Sequence, residues 1–151
     1  NLLYALHTTR DAWERVRDDP AAGGRAVEEA LRWEPPVAIL PRLSADAPVE
    51  LAGVPVPPRS WALFAIAAAN RDPGVFAEPD RFDLDRGPAE VLTFGPGPRS
   101  CPGMHLARKE MLVGLEALLE RFPDLSLLDA EKAAPWGATV RGPRAIPVRL
   151  R

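Results

Sequence analysis

Between Asn70 and Gly103 the sequence is too rich in proline and glycine for regular structure, and this stretch most constrains what the chain can fold into. The whole chain carries 18 prolines and 11 glycines in 151 residues, well above the roughly 12% of an average chain. Proline removes a backbone donor and glycine releases φ, so neither sustains a helix or a central strand. A coil of this length inside a compact domain is either functional or disordered. Phe76, Phe82, Leu84 and Phe94 punctuate it. Apolar anchors at such intervals predict an ordered coil from Asn70 to Arg99, packed on a core supplied by the flanks.

The flanks read as helices and short strands. Leu2, Leu6, Trp13 and Val16 predict one amphipathic helix from Asn1 to about Arg17, ended by Asp19-Pro20 and Gly23-Gly24. A second helix is expected from Arg25 to Trp33, stopped by Glu34-Pro35-Pro36. Val37 to Leu40, Val49 to Leu51, Val54 to Val56 and Trp61 to Ile66 read as hairpin-like strands between turn residues. The clearest helix runs from Pro102 to about Arg121, with Met104, Ala107, Met111, Leu115, Leu118 and Phe122 on one stripe. A final strand is expected within Ala145 to Leu150. No repeat and no linker divides the chain.

Composition narrows the function classes. With 46% hydrophobic and 26% charged residues the chain can bury a real core, and a net charge of −2 gives no electrostatic reason to expect nucleic acid. The longest apolar run, Trp61 to Ala69, is too short to cross a bilayer. No secretory signal pattern opens the chain, and it starts at Asn1 without Met, as a piece of a longer protein would.

One cysteine excludes an internal disulfide, so Cys101 is a core residue, a nucleophile or a metal ligand. Its setting is Phe94-Gly95-Pro96-Gly97-Pro98-Arg99-Ser100-Cys101-Pro102-Gly103. Gly95 and Gly97 let backbone lie flat against a planar ligand. Pro102 suits the first position of a helix, which makes Cys101 the expected N-cap, its sulfur facing unpaired N–H groups. Those groups would hydrogen-bond a ligating sulfur, and Arg99 offers a planar fork for a carboxylate such as a haem propionate. Zinc would need more ligands than one Cys with the distant His7 and His105. A Cys101–His105 nucleophile, four residues apart on one helical face, remains a rival. The residues alone leave haem ligation and this nucleophile open.

On the second helix, Glu28 and Glu29 stand four and three residues before Arg32. Spacing does not choose between them, and either would make an ordinary surface ion pair.

The pattern Phe-Gly-x-Gly-x-Arg-x-Cys-x-Gly, followed by Leu106-Ala107-Arg108, closely resembles the cysteine loop of cytochromes P-450 of bacterial type. Bacterial members often have His where this chain has Arg99, and both can serve a propionate. The resemblance implies a fold that is mainly α with small β-sheets (α+β), the C-terminal portion of the cytochrome P-450 fold. It implies haem b, iron protoporphyrin IX, with Cys101 as metal ligand and Cys101, Arg99, Arg42, Phe94, Gly95 and Gly103 as cofactor-binding residues. The family's thiolate donates electron density that favours O–O cleavage.

Glu-x-x-Arg before Pro-Pro resembles a second family signature and selects Glu29 and Arg32. The family completes this pair with an arginine before the cysteine loop, and Glu78-Pro79-Asp80-Arg81-Phe82 makes Arg81 the expected third member of the structural network. Arg42 matches a family propionate partner, Val37 to Leu40 and Thr139-Val140 match places that line the substrate pocket, and Ala69-Asn70-Arg71-Asp72-Pro73 is read as structural. Residues 1–151 then form the C-terminal part of a single domain whose N-terminal part and central helix are absent. The apolar faces of the first and last helices are expected to be exposed in consequence.

The implied function is a haem-thiolate monooxygenase, in part, inserting one oxygen atom from O2 into a small organic substrate. Its expected partners are a ferredoxin with its reductase and a chain supplying the N-terminal part, with no nucleic acid, in the bacterial cytoplasm. The competing expectation is a non-catalytic truncated haem-binding fragment or interaction remnant.

Overall fold

The computed structural model describes residues 1–87 and 89–151; residue 88, within the expected coil, lies outside the described residues. The chain begins with two helices where one was expected. α1 spans Leu2–Thr8 and α2 spans Ala12–Asp18, separated at Asp11, whose φ of 57° and ψ of 9° no helix accommodates. Thr9 N–H closes α1 on the Ala5 carbonyl. The break lets Leu2, Ala5 and Leu6 of α1 and Ala12, Trp13 and Val16 of α2 reach one core. Trp13 Nε1 donates to the Pro123 carbonyl at 2.9 Å, which satisfies its polar edge inside that core.

α3 spans Ala22–Trp33 and includes the two glycines expected to end the preceding helix. A Cβ on Gly23 would stand 3.2 Å from Leu112 Cδ1, so glycine here serves close helix packing. Asp19 lies just ahead of α3, accepting from Arg25 Nη2 at 2.8 Å and from Ala21 N–H at 2.9 Å. Those bonds, that from Arg25 first, hold its carboxyl below the usual range.

α5, Met104–Arg121, packs against α3. It starts two residues later than expected, because Cys101 and Pro102 belong to the preceding loop. Its stripe faces inward, with Leu115 buried and Met111 and Leu118 against the core. The coil anchors do as their spacing implied: Phe76, Phe82 and Leu84 are buried.

Three two-stranded antiparallel sheets complete the architecture. β1 (Leu40–Leu43) pairs with β4 (Trp61–Phe64), Leu40 opposite Phe64. β2 (Val49–Leu51) and β3 (Val54–Val56) form a hairpin across Ala52-Gly53, both at positive φ, the backbone that a tight two-residue turn needs. β5 (Ser126–Leu127) pairs with β6 (Val148–Arg149). The apolar run after β4 turns into α4, Ile66–Ala69, so the expected strand stops short of Ile66. α6, Ala130–Ala133, is capped by Asp129, which accepts from Lys132 N–H at 3.0 Å.

Exposed apolar surface falls only in part where it was expected. The face of α1 is covered, as is the inward stripe of α5, although Leu106 and Val113 stand out. Further open apolar side chains lie on β1 and β4, namely Leu43, Leu63, Phe64 and Trp61, the last 72% exposed, and at Val54, Trp136 and Val140. Among the described residues no helix is long and apolar enough to cross a membrane.

Candidate functional site

The site has a buried frame and an open loop. The frame begins on α3, whose 3.6-residue period puts Glu29 and Arg32 on its inner face while Glu28 points toward α5. Arg32 is 1% exposed, so every N–H must find a partner or carry a large penalty. All are satisfied. Nε and Nη2 donate to the two Glu29 carboxylate oxygens, each at 2.8 Å. Nη1 donates to the Asn70 and Pro79 carbonyls at 2.9 Å, and Nη2 also to the Arg81 carbonyl at 3.0 Å.

The third arginine is Arg86, which corrects the expectation of Arg81. Arg86 Nε donates to Glu29 Oε1 at 3.1 Å, and its side chain is 13% exposed. Its remaining N–H groups reach the Ala77, Glu78 and Arg81 carbonyls. The Arg81 side chain turns outward onto Glu78 at 3.2 Å and is 60% exposed. Arg81 contributes its carbonyl instead, to both Arg32 and Arg86. Asp83 N–H, at 2.9 Å, completes the shell of Glu29.

Asn70 joins the coil to this frame. It is buried, accepts from Leu92 N–H at 2.8 Å and donates to Thr93 Oγ1 at 2.9 Å. Thr93 in turn donates to the Leu31 carbonyl of α3 at 2.6 Å. The residues just before the cysteine loop are thereby tied to α3. Read from sequence only as structural, Asn70 is a specific clasp. Arg86 and Thr93 escaped sequence reading because their partners are mostly carbonyls and a distant carboxylate.

The loop follows directly. Gly95 and Gly97 both lie at φ of 73°, and a Cβ on either would meet nothing within 4 Å, so one face of the loop is open. Cys101 N–H donates to the Phe94 carbonyl at 2.7 Å and closes the loop on itself. Cys101 is exposed. Its sulfur would lie 3.8 Å from a Cβ on Gly103, and Gly103, not Cys101, is the residue that caps α5. The sulfur therefore lies beside the N-terminal end of an 18-residue helix but outside it.

Cys101 is not helical, so the helical face it was expected to share with His105 does not form, and among the described residues no hydrogen bond joins the two. Nor, among the described residues, does any group of three His, Cys, Asp or Glu side chains stand where it could hold a metal ion. Arg99 ends a short 3-10 turn, Gly97–Arg99, with its side chain exposed. Arg42 is exposed on β1, donating to the Pro41 carbonyl at 3.0 Å. Phe94 is half-buried against the core. Val37 and Val140 are brought together by a bridge between their backbones.

An exposed cysteine on a loop whose two positive-φ glycines face open space leaves room on one side for a planar group. Residues 24–133 match the Cytochrome P450 family model. The chain is 44% identical over 150 residues to 6-deoxyerythronolide B hydroxylase of Saccharopolyspora erythraea, covering 97% of this chain and 37% of that protein. It is 39% identical over 153 residues to the cytochrome P450 monooxygenase PikC of Streptomyces venezuelae, covering 100% of this chain and 37% of that one. The solved structure of the tirandamycin C-bound P450 monooxygenase TamI superposes with a TM-score of 0.91 at 35% identity, over 100% of this chain and 38% of that one. The chain belongs to the cytochrome P450 family, among relatives of bacterial type, and has a partial cytochrome P450 fold. It spans 37% of the length of the two curated relatives. Haem is the cofactor of that family in general.

Proposed function

We propose that this chain forms the haem-binding part of a haem-thiolate monooxygenase, with Cys101 as the protein ligand to the iron of haem b. The observation that carries this reading is the loop geometry: two glycines at φ of 73°, open space over both, and an exposed cysteine sulfur beside the start of α5. A planar macrocycle needs such a clear face, and a ligating sulfur needs N–H dipoles nearby. When bound, the haem supplies activation of O2 and insertion of one oxygen atom into a small organic substrate, using electrons from a redox partner such as a ferredoxin with its reductase.

The chain's own residues divide the remaining work. Phe94 holds Cys101 through its carbonyl and offers its ring beside the loop, while Gly103 keeps a side chain away from the sulfur and Gly95 leaves the loop face open. Arg99 and Arg42 present exposed guanidinium groups suited to the propionates. Glu29, Arg32 and Arg86 immobilise the coil that delivers the loop. Val37 to Leu40 and Thr139-Val140 supply apolar wall on the substrate side. The proposed setting is the bacterial cytoplasm.

The test is the absorption spectrum of the reduced, carbon monoxide-bound protein. A red-shifted Soret band typical of thiolate ligation is expected, and Cys101→Ala abolishes it. Retention of that band in the variant overturns the assignment. A second reading, a haem-binding piece without catalysis, is favoured by the apolar β1–β4 face left open around Trp61 and Leu63. Substrate-dependent oxygen consumption by the full-length protein, absent from the 151-residue chain, separates the two.

A further inference from the structure

Consecutive glutamates on α3 serve different partners. Glu29 turns into the buried frame, and Glu28 reaches across to α5, where Arg108 Nε and Nη2 donate to its two carboxylate oxygens at 2.6 and 3.0 Å. This is a fork-to-fork pair, the geometry that fixes a guanidinium in plane as well as position. Held there, the guanidinium carbon of Arg108 lies 4.8 Å from the centroid of the Phe94 ring, within cation–π range. Phe94 is the residue whose carbonyl accepts the Cys101 N–H at 2.7 Å. One chain of contacts therefore runs from α3 through Arg108 to the residue that holds the cysteine.

An ordinary surface ion pair would have none of this continuity and would contribute little. Here the Arg108 side chain is 29% exposed, its charge is paired in two bonds, and its flat face covers an aromatic ring packed on the core. Rotation of Phe94 would break the stacking, and movement of its backbone would break the bond to Cys101.

We propose that Arg108, oriented by Glu28, is a positioning residue for the Cys101 ligand, acting through Phe94. The inference rests on the haem-thiolate reading above. It concerns how rigidly the sulfur is presented, not which residue ligates.

The pair makes a test that a remote charge effect cannot imitate. Glu28→Gln and Arg108→Met remove charges of opposite sign, so a through-space effect on the haem would shift its midpoint potential in opposite directions, additively in the double variant. Positioning makes them equivalent, because either one releases the ring. In the full-length haem-loaded protein both are expected to shift the potential with the same sign, and the double variant no further than either single one. Both should also accelerate conversion of the thiolate-type carbon monoxide band to its shorter-wavelength form by about threefold, the scale of one cation–π contact. Arg108→Lys, which keeps a cation over the ring but not the fork, should fall between wild type and Met and covers the case in which Met misfolds.

Opposite signs with additivity, or potentials and conversion rates unchanged, overturn the inference while leaving the ligand assignment standing. Absence of the thiolate-type band in the unmutated protein overturns both.

Discussion

The frame around Glu29 and the loop around Cys101 are adjacent in the fold and opposite in character. In the frame every N–H of Arg32 has a partner, Glu29 accepts from two arginines and a backbone amide, and nothing is left for a ligand. In the loop the glycines face open space, and Cys101 and Arg99 are exposed, as is Arg42 on β1. A closed polar network fixes a conformation, whereas an open one offers groups for binding. The contrast gives the first region the stabilising role and leaves the second, on the function proposed above, to bind the cofactor.

Substitutions should separate the two regions by size of effect. Arg32→Ala leaves Glu29 buried beside several orphaned carbonyls and should cost about 3–5 kcal/mol by urea unfolding. Arg86→Ala removes one of the two arginine partners of Glu29 and should cost about 2 kcal/mol, while Arg81→Ala, at an exposed side chain, should stay within about 0.5 kcal/mol. Equal losses at Arg81 and Arg86 would break the assignment of the third arginine. In the loop, Gly97→Ala forces a side chain into φ of 73° and should cost about 1 kcal/mol, measured the same way.

The smallest effect lies at the margin of the core. His7 stacks on Trp13 at 4.5 Å between ring centroids, and burial holds its pKa below the usual value, against an opposing pull from Glu14. A lowered folded-state pKa means the unfolded chain binds the proton more readily. The contribution is therefore present above about pH 6.5, the ordinary histidine value, and is lost as pH falls through the lower folded value. Unfolding midpoints compared at neutral and mildly acid pH should converge for wild type and His7→Gln as the pH drops. A gap that widens toward acid would contradict this sign.

What sequence could read follows the same division. The loop's backbone was partly legible because its geometry is local: Gly95 and Gly97 take the positive φ expected of them, although the N-cap expected at Cys101 falls to Gly103. The stripe of α5 and the β2–β3 hairpin were legible for the same reason. The frame was only half legible. Glu29 and Arg32 share a helix turn, but Arg86 joins Glu29 from 57 residues away, and Asn70 meets Arg32 through its carbonyl, a group that every residue carries and no pattern marks. Long-range packing also overrode local signals. Gly23 looked like the end of the preceding helix and instead stands in the first turn of α3, where Leu112 packs close against it. The helical period ran on from Leu6 to Trp13 although the chain breaks at Asp11, since both halves bury their apolar residues in one core.

The division itself is tested most directly by following haem spectrum and unfolding together in Cys101→Ala and Arg32→Ala. Cys101→Ala is expected to lose the thiolate-type carbon monoxide band while the haem-free protein keeps its unfolding free energy within about 0.5 kcal/mol, as an exposed side chain should. Arg32→Ala should lose most of its stability with or without haem. A haem-free Cys101→Ala protein destabilised as strongly as Arg32→Ala would place Cys101 in the frame and abolish the division.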